Sequence, residues 1–282
     1  MRLLLFLVFV LSVISCNASD FMTVLKERHS ENLEIYYKEI HPIFVAYGDN
    51  VMVDGKVNMK KFVSQAGHED IIKVLIGLKT IIPESYVKDL RILEEGFYLF
   101  HFKSKSRECA EFMMTLPNGP AELESFMRRD RQVTFDLVHK ITISQRGNNE
   151  IISMALQMYT GEDSFVNEEI MSHSYSVHSY TYLLHEACAN GNTVAVRLFM
   201  NYGADPSLLA GNSMSGRRRC ALHFAISDRN GVDTLEALLE RYEPILTDDA
   251  KKNLMQTINL NHFFSEELKS AKIEVLKRFR LA

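Results

Sequence analysis

Tryptophan is absent from the 282 residues, and proline (6) and cysteine (4) are scarce. Positive charge shows no excess either, the formal net charge being −4. Each shortage excludes something. The lack of Trp removes one common anchor of binding surfaces. Without a general basic face, nucleic acid is not an expected partner. The cysteines are too few for a disulfide framework: apart from Cys16 they are Cys109, Cys188 and Cys220, an odd and widely spaced set that reads as small buried hydrophobes. Beyond the N-terminus no segment is apolar for long enough to cross a bilayer, since 71–82 is interrupted by Lys73 and Lys79. With 46% apolar and 24% charged residues, what remains is the composition of a folded chain.

What is present begins with MRLLLFLVFVLSVISCNASD. Arg2 and the amine give a short positive start, 3–14 is apolar except for Ser12, and small residues follow over 15–19. This three-part pattern predicts a secretory signal peptide over 1–18, cleaved after Ala18 or Ser19, and hence a secreted protein. Two alternatives stand beside it. Val13-Ile14-Ser15-Cys16 resembles a bacterial lipoprotein box, which would leave a lipid anchor on Cys16. A start at Met22, or burial of the segment as a helix, would make the protein cytoplasmic.

Further along, LLHEACANGNTVAVRLFMNYGAD (183–205) places a His beside a Glu, with a Cys three residues on. Leu184, Ala187 and Cys188 form a short helical face ending at Asn190-Gly191. Val194, Ala195, Leu198 and Phe199 form a second, ending at Gly203. Neither helix is long enough to stand alone in water. The plan recurs in CALHFAISDRNGVDTLEALLERY (220–242): Leu222, His223, Ala225, Gly231 and Tyr242 match Leu184, His185, Ala187, Gly191 and Tyr202. His185 and His223 are 38 residues apart, a period of stacked supersecondary units.

These two segments resemble ankyrin repeats, in which T-P-L-H-x-A is followed by a Gly, a second helix and G-A-D, with a period of about 33. Tyr182-Leu183-Leu184-His185-Glu186-Ala187 fills the first motif, with Tyr-Leu in place of Thr-Pro, and Gly203-Ala204-Asp205 fills the turn. Cys220-Ala221 replaces Thr-Pro in the second unit. The resemblance covers 182–242. It implies stacked helical hairpins, a supporting hydrogen bond from the motif histidine, and protein binding by loops and concave helix faces. Weaker echoes are AGHEDIIKVLI (66–76) and RGNNEIISMALQMYTGED (146–163), where His139 precedes Gly147 by the spacing of His223 and Gly231.

The expected fold is therefore all-α: an ankyrin-like helical-hairpin solenoid with a divergent helical N-terminal region. Its parts are a helical region over 20–165, repeats over 180–245 and capping helices over 248–282. The stretch 20–163 reads as helix after helix with no strand pairs. In the last segment Ile273, Leu276 and Phe279 are expected to face the preceding repeat, with Lys269, Lys272, Lys277, Arg278 and Arg280 in water.

Constellations for chemistry are weak. His185-Glu186 lacks the second His of H-E-x-x-H, because position 189 is Ala. His173, His178, His185 and Cys188 have zinc-ligand types at spacings that fit no compact motif. No nucleophile elbow or phosphate loop occurs. Glu69-Asp70 reads as an acidic first helical turn. No enzyme, metal or cofactor is expected; a helical N-terminal enzyme carrying repeats as a targeting module is the alternative.

Two surfaces are candidates for binding. LLAGNSMSGRRRC (208–220) lengthens the turn between the clear units. Gly211, Ser213, Ser215 and Gly216 predict mobility, and Arg217, Arg218 and Arg219 a local positive field. Plain solvation, a basic processing site and a polyanion contact compete with protein recognition there. HSYSVHSYTY (173–182) offers Tyr175, Tyr180 and Tyr182, as contact area or as cover over the junction before the first repeat. The export reading predicts that the mature chain, made in its own kind of cell, begins at Ser19 or Asp20 by intact mass; a chain starting at Met1 or Met22 overturns it.

Overall fold

The computed structural model describes residues 20–53, 55–83, 87–144, 147–174, 177–212, 218–229 and 231–281, with backbone alone at 172–174, 177–178 and 212. These residues are mostly helical, in keeping with the all-α expectation, with six short strands among them. The chain divides into two compact units, Met1–Phe126 and Met127–Ala282.

In the first unit, Asp20 caps α1 (Phe21–Arg28) by accepting the Thr23 N–H at 2.7 Å. A helical tract follows: α2 (Leu33–Ile35), a π turn (Tyr36–Ile40) and α3 (His41–Ala46), which carries Pro42 in its first turn where no N–H is missed. After a two-stranded hairpin, β1 (Met52–Val53) and β2 (Lys56–Val57), come α4 (Met59–Gln65), α5 (His68–Ile81) and α6 (Lys88–Phe97). A second π turn (Tyr98–Phe102), α7 (Ser106–Met113) and α8 (Gly119–Arg129) complete the order. Helix α4 packs on α6 and α5 on α7, while α5 also meets the first π turn. The core is aromatic. Phe126 lies 5.2 Å from Phe97 and 5.4 Å from Phe102, and Phe44 meets Phe62 at 4.8 Å, all buried.

The β1–β2 hairpin corrects the purely helical reading of 20–163. Its sequence signal is the Asp-Gly pair at 54–55, a common two-residue hairpin turn. Strands of two residues are too short to show alternation, so the helical pattern on both sides conceals them.

The second unit is regular. Helices α9 (Arg131–Thr142), α10 (Asn149–Met158), α11 (Leu183–Ala189), α12 (Thr193–Asn201), α13 (Ala221–Ser227), α14 (Asp233–Leu239), α15 (Asp248–Asn259) and α16 (Glu266–Arg278) follow in order. Each packs on the helix after it within its pair and on the helix two places along. Thus α9, α11, α13 and α15 make one row, and α10, α12, α14 and α16 another. On α12 the buried residues are Ala195, Val196 and Phe199; Val194, expected on that face, is exposed because the helix turns it away from both neighbouring rows.

Helix α16 also departs from expectation. Val275 and Leu276 are the buried apolar residues, and Lys272 is fully buried with them. The Lys272 ammonium donates to the carbonyls of Gly231 at 2.8 Å and Ala225 at 3.3 Å, and lies 5.3 Å from the Phe264 ring centre. Nearby, the buried Asp228 accepts the Thr234 hydroxyl at 2.7 Å. A polar residue can replace an apolar one in this position because its donors meet carbonyls left open where α13 ends and the chain turns toward α14.

Burial pulls the Lys272 pKa from 10.5 down to about 8, with the Asp228 carboxylate acting in the opposite direction. The unfolded chain therefore holds more protons between those two values, and this group makes stability rise with pH across that window. Lys272→Met leaves the carbonyls of Ala225 and Gly231 without the ammonium that meets them. Urea titration at pH 7 is expected to show a loss of about 2–4 kcal/mol. The advantage of the natural chain over the variant should widen from pH 8 toward 10.5.

Candidate functional site

The histidine of the first repeat-like segment is buried and structural. His185 has no exposed surface, and its Nε2–H donates to the Leu208 carbonyl at 3.0 Å, tying α11 to the turn ahead of the next strand. Burial lowers its pKa to about 4, against the backbone of Leu208 and Arg219, so the ring is neutral at pH 7. Its Nδ1 meets no partner among the described residues. At the equivalent place in the second segment the Cys220 thiol lies 3.2 Å from Nδ1 of His223, within hydrogen-bond reach. Tyr182, standing where Cys220 stands, brings a ring to 5.3 Å from the His185 centre and supplies no donor.

The other signature residues shape the same frame. Leu184, Ala187, Leu222 and Ala225 are buried, as are the thiols of Cys109 and Cys188, whose pKa values burial raises. Gly191 and Gly203 have φ of +71° and +85°, left-handed values that a side chain would strain. Gly231 also has a positive φ. After Gly203 the Asp205 N–H is accepted by Asn167 at 2.7 Å, and the Asp205 carboxylate takes the Ser207 N–H at 2.9 Å. Among the described residues no three His, Cys, Asp or Glu side chains stand close enough to hold a metal ion. At Glu69-Asp70, Asp70 accepts the Tyr47 hydroxyl at 2.7 Å on the first turn of α5.

The candidate surface is a sheet built from the segments between helices. Strands β3 (Ile170–Ser174), β4 (Val177–Thr181), β5 (Ala210–Asn212) and β6 (Arg218–Arg219) pair antiparallel in that order. The register aligns Met171 with Tyr180, Tyr180 with Gly211, and Gly211 with Arg218. Residues directly opposite one another share a face, so Met171, Tyr180, Gly211 and Arg218 form one row across four strands. Met171 is 57% exposed, Arg218 is exposed and Tyr180 is half-buried. Gly211, between Tyr180 and Arg218 in the row, contributes no side chain. Arg218 has no carboxylate partner among the described residues, unlike Arg197 and Arg278, which pair with Glu240 and Glu236.

The structure thus brings Tyr180 and Arg218 together and separates the other expected residues from them. Arg219 is exposed on the opposite face of β6, one residue along. Tyr182 leaves the sheet to cap α11 and cover His185. Tyr175 and Arg217 lie outside the described residues, as do Ser213, Ser215 and Gly216. The stem of the loop expected to be mobile is paired strand at Ala210–Asn212 and Arg218–Arg219, because the preceding hairpin offers β5 an edge to pair with. Met171 was not foreseen. The available signal was the pair of five-residue runs at 170–174 and 177–181 separated by two residues, the proportions of a hairpin.

With this geometry in hand, comparison with known proteins adds no relative: no family model, no curated protein and no solved structure matches the chain. Among the described residues no helix is long and apolar enough to cross a membrane.

His185 predicts a pH response of its own. The folded pKa, about 4, lies below the ordinary 6.5, so the unfolded chain binds the extra proton between those values. Its contribution is complete above pH 6.5 and is lost as the pH falls toward 4. His185→Gln keeps a donor for Leu208 but removes that titration. Denaturation curves should show about 1–2 kcal/mol lost at pH 7 and a flatter profile below pH 6.5.

Proposed function

We propose that the protein is an exported, non-catalytic binder of another protein, presenting one face of its four-stranded sheet on an ankyrin-like stack of helical hairpins. The observation that carries this reading is the row of Met171, Tyr180, Gly211 and Arg218. An apolar chain and an aromatic ring on neighbouring strands share a face with a guanidinium that has no carboxylate partner among the described residues, on a sheet tied to α11 through His185. The two rows of helices, the left-handed glycines at equivalent positions and the His185–Leu208 bond support the ankyrin-like reading. The partner fitting this face is an extended segment with an acidic residue for Arg218 and an apolar or aromatic one for Tyr180 and Met171.

A second reading, an exported polyanion binder, draws on the exposure of Arg219 as well as Arg218. The two readings differ in geometry. A partner lying on one face engages Arg218 and not Arg219, whereas a flexible polyanion responds to the summed charge of both. Peptides selected by display on the full chain should be acidic and apolar. They should bind about tenfold or more weakly to Tyr180→Ser and to Arg218→Ser, a cost of about 1.4 kcal/mol each, and equally well to Arg219→Ser. Retention on a polyanion column that falls alike for Arg218→Ser and Arg219→Ser favours the second reading. Selected peptides indifferent to Tyr180 and Arg218 overturn the first.

A further inference from the structure

The first unit contains a feature independent of the sheet: a groove of about 470 Å³ between the 32–47 tract and α5, floored by the turn that follows α7. The tract runs antiparallel to α5. The Asn32 side-chain amide donates to the Ile81 carbonyl at 2.9 Å near one end, Gly77 faces Ile40 midway, and Tyr47 bonds Asp70 near the other. Ile35, Ile43, Ile76, Ile81 and Leu116 supply apolar walls. The size and lining are those of small-molecule sites, which run to about 300–1,000 Å³ with a few polar groups among apolar ones.

Several local features keep this groove open. Gly77 stands where a Cβ would come within 3.1 Å of Ile40, so the absence of a side chain lets the tract approach without filling the space beside it. Ile35 and Ile40 flank and end on the π turn Tyr36–Ile40, a device that re-aims side chains and recurs at functional sites. Asn118, on the third wall, adopts a left-handed φ of +62°.

The polar groups are distributed unevenly. Lys73 lies at one end of the groove, exposed, without a carboxylate partner among the described residues, its ammonium 5.5 Å from the Phe112 ring centre. Glu39 lies beside Ile40, toward the middle, and the Thr80 hydroxyl is turned onto its own helix, donating to the Ile76 carbonyl at 2.8 Å. From Lys73 to Ile81 is eight residues of helix, about 12 Å at 1.5 Å per residue. The geometry points to a binding site for a medium-length aliphatic carboxylate, its chain along the isoleucines and its head at Lys73, away from Glu39. A cation at one end and isoleucines along the wall toward the other select this class over a neutral alkane or an alkyl cation. The site lies wholly in the first unit and is separate from the proposed protein-binding face.

The test uses the full chain with ¹³C-labelled decanoate below its micellar range, and decanol as the uncharged probe. Decanoate should saturate a single site. Lys73→Glu, a change at an exposed position, should weaken decanoate at least tenfold and leave decanol unchanged. Thr80→Phe, also exposed, should fill the groove and weaken both probes at least tenfold, with melting curves close to that of the natural chain. Absence of saturable binding overturns the site. So does binding indifferent to Thr80→Phe, which is adsorption elsewhere on the surface. Equal responses of decanoate and decanol to Lys73→Glu overturn the assignment of the carboxylate.

Discussion

A helix of seven residues closes only a few hydrogen bonds after the cost of nucleation and does not persist alone in water. Helices α11, α13 and α14 each have that length. Their existence therefore depends on lateral burial, and the second unit is arranged to provide it twice, from the partner within each pair and from the helix two places along. Ala187, Ala195, Ala225 and Ala237 are fully buried, and small side chains at these places let neighbouring helices approach. The same pattern of contact with the second element along holds for α4 through α7, where larger aromatic residues fill the wider spaces.

Because the helices meet the requirement for a core, the strands between them are released from it. Met171, Tyr180 and Arg218 sit on a sheet whose registration comes from backbone pairing, and their side chains remain outside the packed rows. What such a sheet needs is a fixed base, and His185 supplies it by reaching from α11 to the Leu208 carbonyl. A protonated imidazole could still donate there, but its charge would have no water to meet it. The neutral ring is thus the form the fold requires, and that requirement couples the sheet to the protonation of a residue that touches no ligand. What His185 holds in place is the segment that leads into β5.

The helical hairpins were legible because apolar residues at helical spacing and glycines at helix ends are local signals, and both survive in 183–203 and 220–239. The histidine's part was legible only through the resemblance, since a sequence does not say which carbonyl a ring will meet. The sheet was not legible. Tyr180 and Gly211 share a row because two segments 31 residues apart are brought side by side by helices whose packing is itself non-local. The face of α16 was misread for a related reason. A lysine at a helical position that faces a neighbour reads as solvated unless the open carbonyls of Ala225 and Gly231, more than 40 residues upstream, are known to await it.

The two units apply one packing rule to different materials, and their surfaces differ accordingly. In the second unit the segments between helices are long enough to pair as strands, and exposed polar and aromatic residues fall into register. In the first, the only strand pair is β1–β2 among the described residues, and irregularity enters the helices themselves as the two π turns. An extra residue in a helical turn shifts every later side chain around the axis by about a quarter of a turn relative to the α-helical path. In the 32–47 tract Tyr36 and Phe44 are turned inside, while Ile35 and Ile43, one residue before each, border the groove. Ile40 ends the π turn and lies against Gly77 of α5. The groove thus follows from two adjacent faces of one tract, rings inside and isoleucines at the border, and Gly77 is the residue on α5 that leaves room for Ile40.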